Sequence, residues 1–295
     1  MTAVTGRQDP ASPSPDREPP DPRRGGIPSA SGAWNELRNS RELFANLTLR
    51  ELRSKYKRSW LGWGWSMINP LAYTAIYTIV FHFVLRAAPL PGVNGLSVFA
   101  LWLLCALLPW NFFQMAVNTA ISSLPANANL IQKSYFPRQL LPVSSVAAAL
   151  VSHFIEMALL VLALVAFGDY EAFFYLPMTF LLILILTVFA TGLGLLLGVA
   201  NVYFRDVSYF MTILFLAWMY LTPIVYPPQI LHGNALFLSK VNPMTDATIA
   251  FRDGLYYGRL PSPIELGAII TAAAITFAIG WTVFAKYEGR LVEEL

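Results

Sequence analysis

Residues 173–200 read FFYLPMTFLLILILTVFATGLGLLLGVA, an apolar run without a single charged side chain. An α-helix rises 1.5 Å per residue, so about 20 apolar residues cross the ~30 Å hydrocarbon core of a bilayer. This run is long enough to cross. Its second half carries Gly192, Gly194 and Gly198, small residues that let helices approach closely in lipid.

Similar runs lie on both sides. Residues 142–167 precede it, closed by Gly168-Asp169-Tyr170-Glu171, and residues 96–121 come earlier still, with Pro109 inside them. Residues 59–85 hold no Asp, Glu, Lys or Arg between Arg58 and Arg86, and Asn69-Pro70 should kink that span near its start. After the short turn at residues 201–207 come residues 208–226, and residues 264–285 form a final run. The composition agrees: 56% of the chain is hydrophobic and only 13% charged, with mean hydropathy +0.53. Soluble domains carry about 25% charged residues, so a water-facing surface cannot be built from this chain. The expected fold is all-α and integral to the membrane, with six transmembrane helices within residues 59–285.

The ends differ from the middle. Residues 1–33 are rich in Pro, Ser, Asp and Arg and have almost nothing apolar to bury, which predicts a disordered cytosolic tail. The tail lacks the apolar core of a signal peptide. In residues 34–58, Leu37, Phe44 and Leu47 share one helical face, and Leu49, Leu52 and Tyr56 share a second. Arg50, Arg53 and Lys57 lie largely opposite the second face. Such a helix suits the membrane interface, its cations toward anionic headgroups, or a berth on the protein's own cytosolic end. Trp60, Trp63 and Trp65 follow at the expected water boundary. Residues 286–295 form a short C-terminal tail. With both termini inside, sixteen of the 20 Lys and Arg residues are cytosolic and four are outside. Leaving out the N-terminal tail still gives twelve against four, the expected bias for a cytosol-in orientation.

Little soluble chemistry is available. The chain has no P-loop pattern to cradle nucleotide phosphates and no Gly-x-Ser-x-Gly elbow. Its one cysteine, Cys105, excludes an internal disulfide and any cysteine-built metal site. His153 and Glu156 stand at i and i+3 near mid-membrane, where an ionisable residue marks a function by default. They suit an interhelical hydrogen bond or a wet pore wall; a metal or proton relay would need further ligands. Tyr73, Tyr77 and Phe81 step by four along the first span, and Phe215, Trp218, Thr222 and Tyr226 share a face of the fifth. These stripes fit either the aromatic lining of a sugar conduit or the core of the bundle.

Three stretches carry a family resemblance. The first is LRELRSKYKRSWLGW (residues 49–63), followed by Asn69-Pro70. The second is NLIQK (129–133), running to Phe136-Pro137-Arg138 and Leu141-Pro142. The third is NVYFRDV (201–207), then YLTPIVYP (220–227), Val241-Asn242-Pro243 and Phe251-Arg252-Asp253. As an ordered set they resemble the permeases of type-2 ABC transporters that export cell-surface polysaccharides such as O-antigen, capsule, teichoic acid and galactan.

The resemblance implies a transport subunit rather than an enzyme, in a bacterial plasma membrane. It implies a homodimer carrying two separate ABC ATPase subunits, which would bind ATP and Mg while this chain binds no cofactor. The cargo would be a polyprenyl-pyrophosphate-linked glycan, and no nucleic-acid partner is expected. Lys133, Tyr135, Phe136, Pro137 and Arg138 would form the cytosolic element that couples to the ATPase. Arg50, Arg53, Lys57 and Arg58 would meet the substrate's pyrophosphate at the cytosolic leaflet. The Pro- and Arg-rich tail would suit a high-GC actinobacterium and hence galactan. The other readings are an exporter of a drug or lipid and, from another class, a membrane transferase; the latter would need clustered acids or histidines at a membrane face.

Residues 227–262, on the outer side, are too long for a simple loop. Asn242-Pro243 reads as a helix cap and first helical position, and Gly258 as a terminator. Ala247, Ala250 and Phe251 would be buried while Asp246 stays polar, with residues 229–241 as a shorter partner helix. A re-entrant outer hairpin capping the exit is expected, with Arg252 and Asp253 paired at its wet edge; a hairpin lying flat on the surface is the alternative. Asn242, Pro243, Phe251, Arg252 and Asp253 are its candidate gate residues.

Overall fold

The computed structural model describes residues 40–56, 64–84, 86, 91–134 and 136–294. Among them every regular element is helical. The tail at residues 1–33, Trp60 and Trp63, and the site candidates Lys57, Arg58 and Tyr135 lie outside the described residues.

Helix α1 (Arg41–Tyr56) is the basic helix. It packs on the long helix α5 (Leu140–Ala166), burying Leu47 and Leu52 while Arg50 and Arg53 face outward. Leu47 joins an inner apolar cluster with Leu124, Ile131, Leu140, Val199 and Phe284. The helix is thus seated on the protein's own bundle through Leu47 of the first expected face and Leu52 of the second, while Leu49, expected beside Leu52, is exposed.

Helix α2 (Trp65–Tyr77) carries Pro70 and continues as a π-helical segment, Thr78–Val84. Helices α3 (Phe99–Ala126), α4 (Ala128–Lys133) and α5 follow. Then come α6 (Leu176–Tyr203), α7 (Val207–Leu221), α8 (Gly233–Val241) and α9 (Pro243–Leu255). The long α10 (Pro263–Tyr287) starts at a reciprocal cap between Ser262 and Glu265, and the short α11 (Leu291–Glu294) ends the described chain.

Among the described residues, four helices are long and apolar enough to cross a membrane: α3, α5, α6, and α10 with its extension to Glu294. The other two expected spans appear as shorter apolar helices, Ile68–Val84 and Val207–Leu221. The fifth run ends at Leu221, not at Tyr226, because Pro223 lacks an N–H and disfavours helical geometry in the residue before it. Thr222 is accordingly extended, at φ −95° and ψ 134°. The 15 residues of α7 span about 22 Å, less than the hydrocarbon thickness.

Helix α3 is the centre of the bundle, touching α2, α5, α6, α7 and α9. Its most apolar stretch is 72% buried, against 22% for the last long helix, so the order of burial runs from α3 outward to α10. Large side chains such as Leu162, Ile213 and Ile275 stay exposed, as suits helices solvated by lipid rather than water.

The closest helix pair is α6 with α10. A Cβ on Gly192 would lie 2.5 Å from the backbone N and Cα of Phe277, and one on Gly280 would collide with the carbonyl of Gly192. Backbone meets backbone here, so neither side can yield by rotating a side chain. Gly280→Val should therefore lower thermal stability in detergent, at a cost of about 1–3 kcal/mol. Gly267→Ala, whose added methyl meets nothing within 4 Å, should melt at or slightly above the wild-type temperature. Equal melting of the two variants would refute the close contact.

Candidate functional site

Three places along the bundle gather polar side chains in an otherwise apolar molecule. At the outer end, α9 begins where its cap predicts: Asn242 Oδ1 accepts from the backbone N–H of Met244 at 3.0 Å, and Pro243 is the first helical residue. The same Asn242 reaches back to α7. Its Oδ1 accepts from Trp218 Nε1 at 2.8 Å, and its Nδ2 donates to Thr222 Oγ1 at 2.8 Å. Ala247, Ala250 and Phe251 are buried as their spacing predicts, and α9 ends before Gly258, which takes the left-handed φ of +57°.

Arg252 and Asp253 do not pair, which corrects the sequence expectation. Consecutive helical residues do not face each other, so the two side chains diverge. Arg252 turns inward and is 2% exposed. Its guanidinium lies 3.6 Å from the centre of the Trp102 ring on α3 and donates to the Trp102 carbonyl at 3.3 Å. It also donates to the carbonyl of Pro223 at 2.6 Å and to that of Ile224. These carbonyls lie just past the end of α7, where the broken helix offers them no partners. A cation at a helix C-terminus is further favoured by the macrodipole. Asp253 instead accepts from Arg259 at 2.7 Å. Burial pushes the Asp253 carboxyl up, with Arg259 working against that shift, and the same bond raises Arg259.

The aromatic stripes divide. Tyr73, Tyr77 and Phe81 follow one another along α2 and its π-helical continuation with ring centres 6.4 and 6.2 Å apart, and Tyr73 is exposed. Phe215 is fully buried, packed with Trp110, Phe113 and Trp218. In this conformation it belongs to the bundle core and presents no surface to a conduit. Tyr226 lies beyond α7, half-buried, and its hydroxyl donates to the carbonyl of Tyr220 at 2.7 Å.

At the inner end, Lys133 closes α4 and is exposed, while Phe136 and Pro137 are half-buried. Arg138 is tied to the far end of the chain: its backbone N–H donates to Glu288 Oε1 at 2.9 Å, and its guanidinium to the Glu288 carbonyl. Gln139, with its amide nitrogen toward the same carboxylate, donates at 3.1 Å. Arg50 on α1 donates to Asn127 Oδ1, between α3 and α4, at 2.5 Å.

The third place brings Tyr73, a conduit candidate from the sequence, and Glu156, expected at a hydrogen bond or a wet wall, together with amides that were not among the candidates. Between α2, α3 and α5 lies a cavity of about 440 Å³, lined by Trp65, Asn69 and Tyr73 on one side, Asn111, Gln114 and Asn118 on another, and Glu156 at its wall. The signal was present in the sequence, because three amides at i, i+3 and i+7 interrupt an apolar span. The paired reading of His153 with Glu156 drew attention to the wrong neighbour. His153 Nδ1 is 3.8 Å from Glu156 Oε2, beyond hydrogen-bond reach, and its ring stacks on Phe112.

Comparison with known proteins now bears on this arrangement. The family model described as ABC-2 type transporter matches residues 42–256, most of the chain. This protein belongs to the ABC-2 type transporter family. Among its relatives is the O-antigen export system permease protein RfbA of Myxococcus xanthus, 27% identical over 260 residues, which are 88% of this chain and 96% of that one. The RfbA of Klebsiella pneumoniae is 26% identical over 254 residues, 86% of this chain and 95% of its own. The polysialic acid transport protein KpsM of Escherichia coli is 23% identical over 253 residues, covering 83% and 93%. The family match runs from α1 to the C-terminal end of α9, so the Arg252 cluster lies within it, while α10 and Glu288 lie beyond it.

In this ABC-2 type membrane protein Arg252 carries hydrogen bonds from α9 both to α3 and to the broken end of α7. Arg252→Ala should cost about 3 kcal/mol, since it strips donors from buried carbonyls. Arg259→Ala, at the exposed end of its ion pair, should cost less than about 1 kcal/mol. Thermal melts of the two purified variants in detergent test the ranking; a reversed order would show that the outer ion pair holds α9.

Proposed function

We propose that this chain is the membrane permease subunit of an ATP-driven exporter that moves a lipid-linked cell-surface polysaccharide out of the cytosol. The carrying observation is near full-length similarity to permeases named for O-antigen export, supported by similarity to a polysialic acid transport protein. In this reading α2 and α7 complete six crossings as short helices, within a plasma membrane and with both termini cytosolic. Two copies form the conduit, and two separate ATPase subunits bind ATP and Mg on the cytosolic face. The cargo is a glycan on a polyprenyl pyrophosphate, with galactan the candidate that the Pro- and Arg-rich tail favours.

The inner end supports this division of labour. Lys133 and Phe136 stand on a short loop between two long helices, the first exposed and the second partly so, where a partner's groove can receive them. Arg138 has a second duty in holding Glu288, so its removal would mix docking with the integrity of the bundle. Arg50 and Arg53 stand at the same end, facing outward beside a surface hollow of about 540 Å³, where a pyrophosphate at the leaflet would meet them. Each cation near an anionic surface is worth about 1 kcal/mol.

Depleting the protein in its native host should remove the surface glycan and leave its lipid-linked form in the inner leaflet. Unchanged surface glycan, with a drug or lipid retained instead, would move the assignment to another cargo. In complemented cells, Lys133→Ala/Phe136→Ala should reduce export about tenfold or more at wild-type protein level. The ATPase of the purified complex should persist but no longer respond to substrate. Normal export by that variant would remove the loop from the coupling path.

A further inference from the structure

The cavity between α2, α3 and α5 poses an energetic problem that the fold alone does not solve. Asn111, Gln114 and Asn118 share one face of α3 and point to a common space of about 440 Å³. Among the described residues, none of these side chains makes a hydrogen bond to the protein. They are half-buried and face that open space, so a hydrophilic content must meet them there; facing hydrocarbon they would cost several kcal/mol each. Glu156 sharpens the problem. It is 2% exposed, lines the same space and makes no hydrogen bond among the described residues; His153 Nδ1, at 3.8 Å, is an ionic neighbour beyond hydrogen-bond length. A buried carboxylate so placed requires donors from whatever fills the cavity.

The lining specifies those donors. An amide both donates and accepts, as a hydroxyl does, so three amides in a row match a ligand bearing several hydroxyls. A carboxylate accepts from hydroxyls through stronger, charge-assisted bonds. Trp65 and Tyr73 add flat apolar rings to the opposite wall, suited to the C–H face of a sugar ring. The volume falls within the range of ordinary small-molecule sites. The same carboxylate, in surroundings of low dielectric, repels a second negative charge strongly. A uronic or sialic acid is therefore disfavoured beside it, and an uncharged sugar is not.

We propose that this cavity is a subsite for uncharged sugar residues of the glycan, with Asn111, Gln114 and Asn118 bonding ring hydroxyls and Glu156 both accepting from them and excluding acidic sugars. The proposal rests on the polysaccharide-export reading and adds to it a place and a charge preference. Glu156 then acts as a selectivity residue, and the amide face of α3 as the wall along which hydroxyls exchange partners.

The test uses the full-length protein in lipid nanodiscs and saturation-transfer NMR with two probes, a neutral galactose tetrasaccharide and a sialic acid tetramer, at one ionic strength. Wild type should receive transfer from the neutral probe and almost none from the acidic one. Asn111→Leu/Gln114→Leu should weaken neutral binding about tenfold, as expected for two lost hydrogen bonds. Glu156→Gln keeps the size and most of the bonding capacity; it should lose about fivefold toward the neutral probe and gain binding of the acidic one. The neutral-to-acidic ratio is the decisive readout, because a Glu156 that only braces α5 would leave it unchanged. An unchanged ratio in Glu156→Gln, a wild-type preference for the acidic probe, or no binding of either probe overturns the subsite. Depletion decides the broader reading separately: surface glycan lost on depletion together with an unchanged ratio sinks the subsite alone, whereas glycan unaffected by depletion sinks the export reading.

Discussion

Lipid offers no hydrogen bonds, so every backbone carbonyl that leaves a helix inside the bundle must find a donor in the protein. The end of α7 is where that demand is sharpest. Pro223 stops the helix at Leu221 and leaves the carbonyls of Pro223 and Ile224 without helical donors. Arg252 supplies them from α9, lying on the Trp102 ring as it does so. Asn242 completes the joint by holding Trp218 and Thr222 while it caps α9. The broken end of α7 and α9 are therefore one unit: neither keeps these polar groups satisfied without the other. Burying a cation is costly unless its charge and donors are met, and the fork of Arg252 meets three carbonyls from two elements.

The opposite end is organised by fewer but equally long-range ties. Glu288, past the end of α10, accepts from the backbone of Arg138, 150 residues earlier, and from Gln139 beside it. Higher up, α10 is pressed against α6 where Gly192 and Gly280 allow their backbones to meet. Arg138 and Gln139 are thus tied to the C-terminal end of α10 through Glu288, and α10 in turn meets α6 backbone to backbone at Gly192 and Gly280. The ABC-2 family match covers Arg138 and α9, whereas Glu288 lies beyond it.

Between the two ends, Asn111, Gln114, Asn118 and Glu156 lie on the faces of α3 and α5 that meet α2. Helix α3 is buried on nearly every other side by Trp102, Phe113 and their neighbours. Its Asn111–Gln114–Asn118 face is the exception. A helix that is central to the bundle and polar along one line separates its two tasks by face: packing on three sides, and contact with a hydrophilic content on the fourth.

Much of this was legible in the sequence because it depends on local pattern. Charge-free runs located the long helices, Asn242-Pro243 located the start of α9, and Gly258 its end, since capping, proline geometry and left-handed φ are properties of a few adjacent residues. The break at Thr222-Pro223 was equally local, yet hydropathy alone ran the fifth span on to Tyr226. What the sequence could not assign were the partners of side chains. Arg252 stands beside Asp253 in the chain but bonds to residues around positions 102 and 223, and of one regular stripe Phe215 and Thr222 are turned fully into the core while Tyr226 is half-buried. Periodicity fixes which residues share a face of a helix. Which neighbour that face meets is decided by contacts between residues as much as 160 positions apart, and only the packed bundle, where side chains from distant segments meet the same carbonyls and fill the same space, makes that choice.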